Sequence, residues 1–456
     1  MKIIWMAVTG GLLLAGITWG QARGIGDPDA MEAKGIEPGA YAEMSLQQCI
    51  ETALAYNPGL AAAQQGVLAA KAARDEAAGA RWPWLDVAGS LRHYNDDQRL
   101  VMPRSPNDAG VYGSDIAIVG LNLQVPLFTS GRIKNTINAA DQVAQSAVHQ
   151  ADQTDRQLVF DIKRLFYRIL TQEQVVGSLD QSIKALQRHR TFVQHAIDVQ
   201  KAARVDLMRV EVRLADLNQQ RIVAENGRIL LLDALAERMG IGDRVETLSI
   251  VGTLSLTPLT VDPNEGLNRA LRHRPDVLAL EAAVRAGQNR LNVARGGRGP
   301  TLGLEGNIGW RYAADPTVYP SGTDNLEDVA SVGLGLKIPL FQGGGISARV
   351  RKAKAEWLVL KQRLRQLKLR VRVDVRSAAF SITAARQRVQ ATQTAVDQAI
   401  ESLRIEQNQY RAGRGSITNV LDAQAALLAV ETHHIAALSD FNTAIAQWHL
   451  ALGDKL

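Results

Sequence analysis

The chain has 456 residues, 46% of them hydrophobic and 5% aromatic, with a formal net charge of +6 and an isoelectric point near 9.4. That hydrophobic content excludes a disordered chain, and the length exceeds one ordinary core. Lys and Arg are spread among Asp, Glu and Gln as on a solvated helix surface, whereas a nucleic-acid patch would cluster, so nucleic acid is not an expected partner.

Residues 1–22 look like a secretory signal peptide. Lys2 supplies the positive start, Ile3 to Trp19 the apolar run, and Gly20-Gln21-Ala22 a small-x-small cleavage site. The alternative is an uncleaved anchor helix, for which the run is marginally long enough. No later stretch approaches about 20 apolar residues, so no helix is expected to span a membrane after it. Residues 23–44 are expected to be a flexible N-terminal segment. Cys49 is the single cysteine. It has no intrachain disulfide partner and is expected to be a small, half-buried residue on a helix.

Proline maps the rest. The 14 prolines leave two windows empty, 127–257 and 340–456. Proline breaks helix interiors at a cost of about 3 kcal/mol, so these windows permit very long helices. Leu158, Ile162, Leu165, Ile169, Gln172, Val176, Leu179, Ile183, Leu186, Arg190, Val193 and Ile197 recur at coiled-coil spacing, and ten of the twelve are apolar. Leu207, Val210, Leu214, Leu217, Leu231 and Leu235 continue the pattern more weakly. A helix over 132–200 would reach roughly 100 Å at 1.5 Å per residue. A tunnel or spacer needs that length and a single soluble domain does not.

Four stretches alternate with period two instead, predicting strands at 84–94, 114–126, 301–312 and 328–339. Leu85, Val87 and Leu91 alternate with Asp86, Ser90 and Arg92. Leu302, Leu304, Ile308, Trp310 and Tyr312 alternate with Glu305, Asn307 and Arg311. Each run has the length of a tilted membrane strand, apolar on one face and polar on the other. Polar, proline-containing loops (95–113 and 313–328) join them in pairs, and Trp82, Trp84, Trp310 and Tyr312 sit near strand ends like an interfacial girdle. A soluble amphipathic sheet is the alternative. Four strands cannot close around a lumen, and an open edge in lipid leaves unpaired backbone groups, so a membrane barrel would have to be shared between subunits.

The chain also repeats itself. VGLNLQVPLF (119–128) matches VGLGLKIPLF (332–341), with Pro126 and Pro339 213 residues apart. DLMRVEVRLADL from Asp206 matches NVLDAQAALLAV from Asn419 at the same offset. YNPGLAAA (56–63) parallels HRPDVLAL (273–280). The organisation read from this is a first repeat over 45–240, a connector over 241–263 and a second repeat over 264–456. Each repeat has a helix, two strands and a long helical hairpin, with hairpin tips near 198–207 and 410–418.

With these residues in view the chain resembles the TolC-like outer-membrane efflux family over about 45–452. Asn57-Pro58, Arg274-Pro275, the two PLF strand ends with Gly131 and Gly343-Gly344-Gly345 after them, and YRAGRGSITNVLDAQAAL (410–427) carry the resemblance. It implies a mostly α fold with a β-barrel part: long antiparallel coiled-coil helices form an α-barrel, and a trimer shares one barrel of twelve strands. It implies a channel in the cell outer membrane, in contact with outer-membrane lipid and with its helical tunnel in the periplasm. A periplasmic adaptor and an inner-membrane pump are the implied partners. Carried over residue by residue, it places Tyr410 and Asp206 at a latch contact and Asp422 and Asn419 at an aperture ring. It places Gly413 and Gly415 in the tip turn, and Pro126, Gly131, Pro339 and Gly344 at the strand-to-helix corners. Gly415 stands where the family has an arginine, and the first-half tip, VQKAARVDL (199–207), lacks the glycine.

The chain contains no P-loop, G-x-S-x-G elbow or H-E-x-x-H. FQGGGIS (341–347) opens a helix without the Lys-Ser/Thr of a P-loop, and His433 and His434 point to different helix sides. No enzyme activity, cofactor or metal is expected. The alternative function is a periplasmic coiled-coil adaptor, whose sheet would be water-soluble and need no trimer.

Overall fold

A computed structural model of the chain describes residues 43–99, 111–242, 248–257, 259–313, 316–318 and 325–455. The expected signal segment and nearly all of 23–44 lie outside these residues, as do parts of the two loops.

The elements form two series of matching lengths. Helices α1 (Leu46–Tyr56) and α2 (Pro58–Gly79) precede strands β1 (Trp84–Arg99) and β2 (Tyr112–Phe128), and then come α3 (Arg132–Asp198) and α4 (Arg204–Met239). The second series is α5 (Pro263–His273), α6 (Pro275–Gly296), β3 (Thr301–Ala313), the short β4 (Pro316–Val318), β5 (Leu326–Lys337), α7 (Gly345–Arg411) and α8 (Ile417–Leu452). Helices α3 and α7 have 67 residues each, α4 and α8 have 36, α2 and α6 have 22, and α1 and α5 have 11. The starts of α3 and α7 are 213 positions apart, as are those of α4 and α8.

Two corrections to the expected helices follow. Each half opens with two helices, because Pro58 and Pro275 sit at the first position of a new helix, where the missing N–H costs nothing. Cys49 is fully buried, and that burial pushes its thiol up to about 12.

The sheet has the order β1-β2-β3-β5, all antiparallel, with β4 paired to β2 off that path. β1 and β2 run beyond their expected ends, to Arg99 and from Tyr112 to Phe128. Pro126 therefore lies inside β2 and not at its end, at a slip in register against β3 between Pro126 and Phe128, where a missing ladder donor is tolerated. β5 is shifted two residues earlier than expected, so Pro339 falls beyond it. Trp84 pairs with Gln124 and shares parity with Asp86, which puts it on the polar face and not with Leu85.

In the helical layer α4 packs on α3, α3 on α8, and α8 on α7. The expected α3 seam is buried at Leu158, Ile162, Leu165, Ile169, Leu179, Ile183, Leu186 and Val193. Its two polar positions are accounted for. Gln172 Nε2 donates to Ala224 O of α4 at 2.8 Å, and Arg190 reaches Glu211 of α4 at 3.0 Å on the exposed flank. A second core joins α5 to α7 and α8 around Val371, Val375, Ile382 and Phe441.

Candidate functional site

The hairpin tips close with the same backbone turn. Lys201 N–H donates to Ala196 O at 2.7 Å in the first half, and Arg414 N–H to Gln409 O at 2.9 Å in the second. Such a closure places one residue in the left-handed region. In the second half it is Gly413, at φ 71°. In the first it is Gln200, at φ 59°, so the turn survives without its glycine at a conformational cost. Gly415 packs tightly on the end of α7, where a Cβ would lie 3.1 Å from Tyr410 N.

The tips hold the sequence-derived residues as follows. Tyr410 lies in the last turn of α7 and packs on α3, its ring 5.3 Å from that of His189 and 6.2 Å, edge-on, from that of Phe192. Burial, and then the negative charge of Asp206, raise its phenol above the usual range. Asp206 lies in the first turn of α4. No hydrogen bond joins Asp206 to Tyr410 among the described residues. Asn419 and Asp422 are exposed one turn apart on the first turns of α8, so they share a face.

Sequence reasoning missed four participants. Arg209 Nη1 of α4 donates to Thr418 Oγ1 of α8 at 3.1 Å, an arginine–threonine tie between the two hairpins although Gly415 replaces the expected arginine. His189 and Phe192 flank the α3 seam without lying on it, so heptad counting passes over them.

The opposite end of the molecule is the strand wall. Register partners Asp86, Asn122, Asn307 and Ser331 form one polar row. Asn122 Nδ2 donates to Asp86 Oδ2 at 3.2 Å and Asn307 Nδ2 to Asn122 Oδ1 at 2.7 Å. The other face carries Leu85, Val87, Leu91, Val332, Leu334 and Leu336, all exposed, with Leu91 at 72% and Val332 at 78%. An apolar face this open is not stable against water. At the corners, Ser130-Gly131 and Gly343-Gly344 are consecutive left-handed pairs that turn the chain from strand into long helix.

The family model for outer membrane efflux proteins matches residues 49–240 and 266–454. The chain belongs to the outer membrane efflux protein family. BepC of Brucella suis is 24% identical over 342 residues, 71% of this chain and 69% of its own. The TolC protein of Vibrio cholerae is 21% identical over 342 residues, covering 75% and 77%. The crystal structure of VceC, also from Vibrio cholerae, shares the fold with a TM-score of 0.77 at 19% identity over 90% of this chain and 96% of that one.

As an outer membrane efflux protein the chain is a channel component of the cell outer membrane, with its helical part in the periplasm. Among the described residues no helix is long and apolar enough to cross a membrane. Among the described residues there is also no group of three His, Cys, Asp or Glu placed to hold a metal. His434 Nδ1 instead lies 3.0 Å from Thr392 Oγ1.

Proposed function

We propose that three copies of this chain close into one continuous export duct. Twelve long strands would form a barrel in the outer membrane, above a ring of periplasmic helices. The observation that carries this is the matching pair of free edges. The sheet ends in β1 on one side and β5 on the other, and the helical row ends in α4 and α7. In both layers a first-half element forms one edge and a second-half element the other. That is the geometry of a head-to-tail contact that closes a ring. The edge helices are also apolar where nothing covers them. α4 exposes Val205, Met208, Val212, Ile222, Val223 and Leu230, and α7 exposes Leu358, Leu369, Val373 and Phe380. Val205, Met208 and Val212 on α4 are three and four residues apart and Leu369 and Val373 on α7 four apart, the spacing a further coiled-coil seam requires.

The duct is passive. It opens at the periplasmic tip, where the Arg209–Thr418 tie holds the hairpins, Tyr410 and Asp206 form the latch pair, and Asp422, beside Asn419, sets a ring of charge. A periplasmic adaptor docks on the helices and an inner-membrane pump supplies cargo and energy.

Native mass spectrometry of the detergent-extracted protein tests the assembly. A particle of three chains supports it. A monomer in detergent, or full solubility without detergent, would overturn it in favour of a periplasmic adaptor.

A further inference from the structure

Three chain segments meet where the sheet gives way to the long helices, and none contains a carboxylate. Residues 116–140, 282–304 and 329–355 together hold eleven Lys and Arg and no Asp or Glu. Between them lies a cavity of about 590 Å³ lined by Arg132, Lys337 and Arg349 together with Thr136, Thr301 and Gln342. Among the described residues no acidic side chain lines it.

The corners build this space. Ser130 Oγ donates to Pro300 O at 2.6 Å and draws the turn before α3 onto the turn before β3. Gly299 permits that approach, since a Cβ there would lie 2.1 Å from Ser130 Oγ. Thr301 and Lys337 are register partners across β3 and β5. Arg349 Nη2 donates to Gln342 Oε1 at 3.1 Å, which fixes the guanidinium at the rim. Two long helices also begin here. Neither α3 nor α7 has an acidic residue in its first turn, and neither is capped by the side chain of its N-cap glycine. Thr129 Oγ1 accepts from Ile133 N–H of α3 at 3.4 Å. The partial positive charge of a helix start thus adds to three full charges at one place.

The cavity also has a defined height. The apolar rows of β3 and β5 reach Leu302 and Leu336, and Thr301 and Lys337 are the next residues along. Its cations therefore stand near this end of the apolar wall, which exposed Ile338, Leu340 and Phe341 continue past Lys337, while Thr301 and Lys337 share parity with Asn307 and Ser331 and leave the sheet on its polar face.

We propose that this cavity binds a phosphate-bearing anion. Guanidinium and ammonium groups around one space, with no carboxylate among them, gain charge-assisted hydrogen bonds and lose mutual repulsion when phosphate enters. The volume falls in the range of small-ligand sites and accepts a headgroup. The phosphate has two sources, an anionic phospholipid of the adjoining leaflet or a soluble phosphate compound. All the lining residues come from one chain, so the affinity does not depend on the trimer.

Detergent-extracted protein, washed in neutral detergent, is titrated with dioleoylphosphatidylglycerol, with phosphate-free dioleoylglycerol and with inorganic pyrophosphate, and retention is read by native mass spectrometry. Replacing the three lining cations together (Arg132→Gln, Lys337→Gln, Arg349→Gln) should weaken retention at least about tenfold, the effect of losing one charged hydrogen bond or more. A control with equal charge loss on exposed α7 residues outside the cavity (Arg363→Gln, Arg365→Gln, Arg370→Gln) should bind as the unaltered protein does. Retention of the phosphatidylglycerol, displaced by pyrophosphate, identifies a lipid headgroup; retention of pyrophosphate alone identifies a soluble ligand. The proposal is overturned if the unaltered protein retains neither, if dioleoylglycerol binds as well as the phosphatidylglycerol, or if the control variant loses binding equally.

Discussion

Gly120 and Gly309 face each other across β2 and β3 so closely that a Cβ on Gly309 would lie 2.5 Å from Gly120 Cα and 2.3 Å from Val119 O. A side chain there must part the two strands, which come from different halves of the chain. Gly309→Val is expected to destabilise the sheet by about 1–3 kcal/mol, the range for overpacking a tight site. Gly333 has nothing within 4 Å of its Cβ position, so Gly333→Ala should stay within about 0.5 kcal/mol of the unaltered protein. Thermal unfolding followed by circular dichroism compares them, and equal losses would mean that the close approach does not limit stability.

The two proline breaks differ in what holds them. Asn57 Oδ1 caps α2 by accepting from Leu60 N–H at 2.9 Å. At the equivalent position Arg274 is mostly buried, with Asp276 at 2.8 Å and Asp374 at 3.0 Å. Arg274→Ala leaves two carboxylates short of a partner in a half-enclosed site and should cost about 3–5 kcal/mol, the cost of breaking a buried pair. Asn57→Ala should cost about 1 kcal/mol, the usual loss of a cap. Chemical unfolding of both variants checks the ranking, and a reversed order would remove Arg274 as the anchor of the second half.

The long helices were legible because proline-free windows and heptad spacing are properties of one chain segment. The four long strands were legible for the same reason, but the short β4 (Pro316–Val318), which lies in the expected 313–328 loop, was not. The strand ends were not: Pro126 breaks a helix wherever it falls, but in β2 a slip in pairing with β3 absorbs it, and that slip belongs to the partner strand. At the tip, Tyr410 and Asp206 could be placed only through resemblance. The rings that Tyr410 meets, His189 and Phe192, lie more than 200 positions away and off the seam. Arg209 and Thr418 likewise have no spacing that marks them as partners. The basic segments around Arg132, Lys337 and Arg349 are visible in composition, but only the fold brings them to one cavity.

His189 makes the tip sensitive to acid. Burial, and then the nearby charge of Arg411, lower its pKa below the usual imidazole value, and its Nε2 is buried without a hydrogen-bond partner among the described residues. Tyr410 and Arg411 of α7 face it, and Glu406 one turn earlier also has a buried oxygen without a partner. A lowered folded pKa means that the folded state prefers the neutral ring. Its stabilisation is present above about pH 6.5 and is lost as the pH falls from there towards the folded value. Hydrogen exchange around 186–193 and 407–411 should therefore speed up between pH 7.5 and 5.5, relative to the core of α3. His189→Phe should flatten that response. An unchanged pH profile in the variant would assign the sensitivity to another group.

The exposed stripe on α4 is expected to matter to assembly and not to the fold of one chain. Val212 is 71% exposed in the isolated protomer, so Val212→Glu should leave helix content unchanged. In a trimer the same carboxylate would be buried in an apolar seam without a partner, which disfavours the assembled state. Native mass spectrometry should show the variant shifted from three chains towards one. Trimers at the unaltered level would place the seam elsewhere on α4.

Asp422 tests the duct reading at its narrowest expected point. It is exposed on α8 just beyond the tip turn and has no ion pair among the described residues, while Asn419 on the same face contributes no charge. In a closed trimer three carboxylates, one per chain, would be the charge nearest the axis at this level. Clustered like charges of that kind attract cations to the aperture, an effect that salt screens over about 10 Å at 0.1 M. Asp422→Ala should therefore weaken cation preference in planar bilayers and relieve block by multivalent cations, most clearly at low salt. Asn419→Asp should do the reverse by doubling the ring charge. If both variants conduct with unaltered selectivity, Asp422 is a helix-start carboxylate that favours the α8 dipole, and the aperture lies at another level.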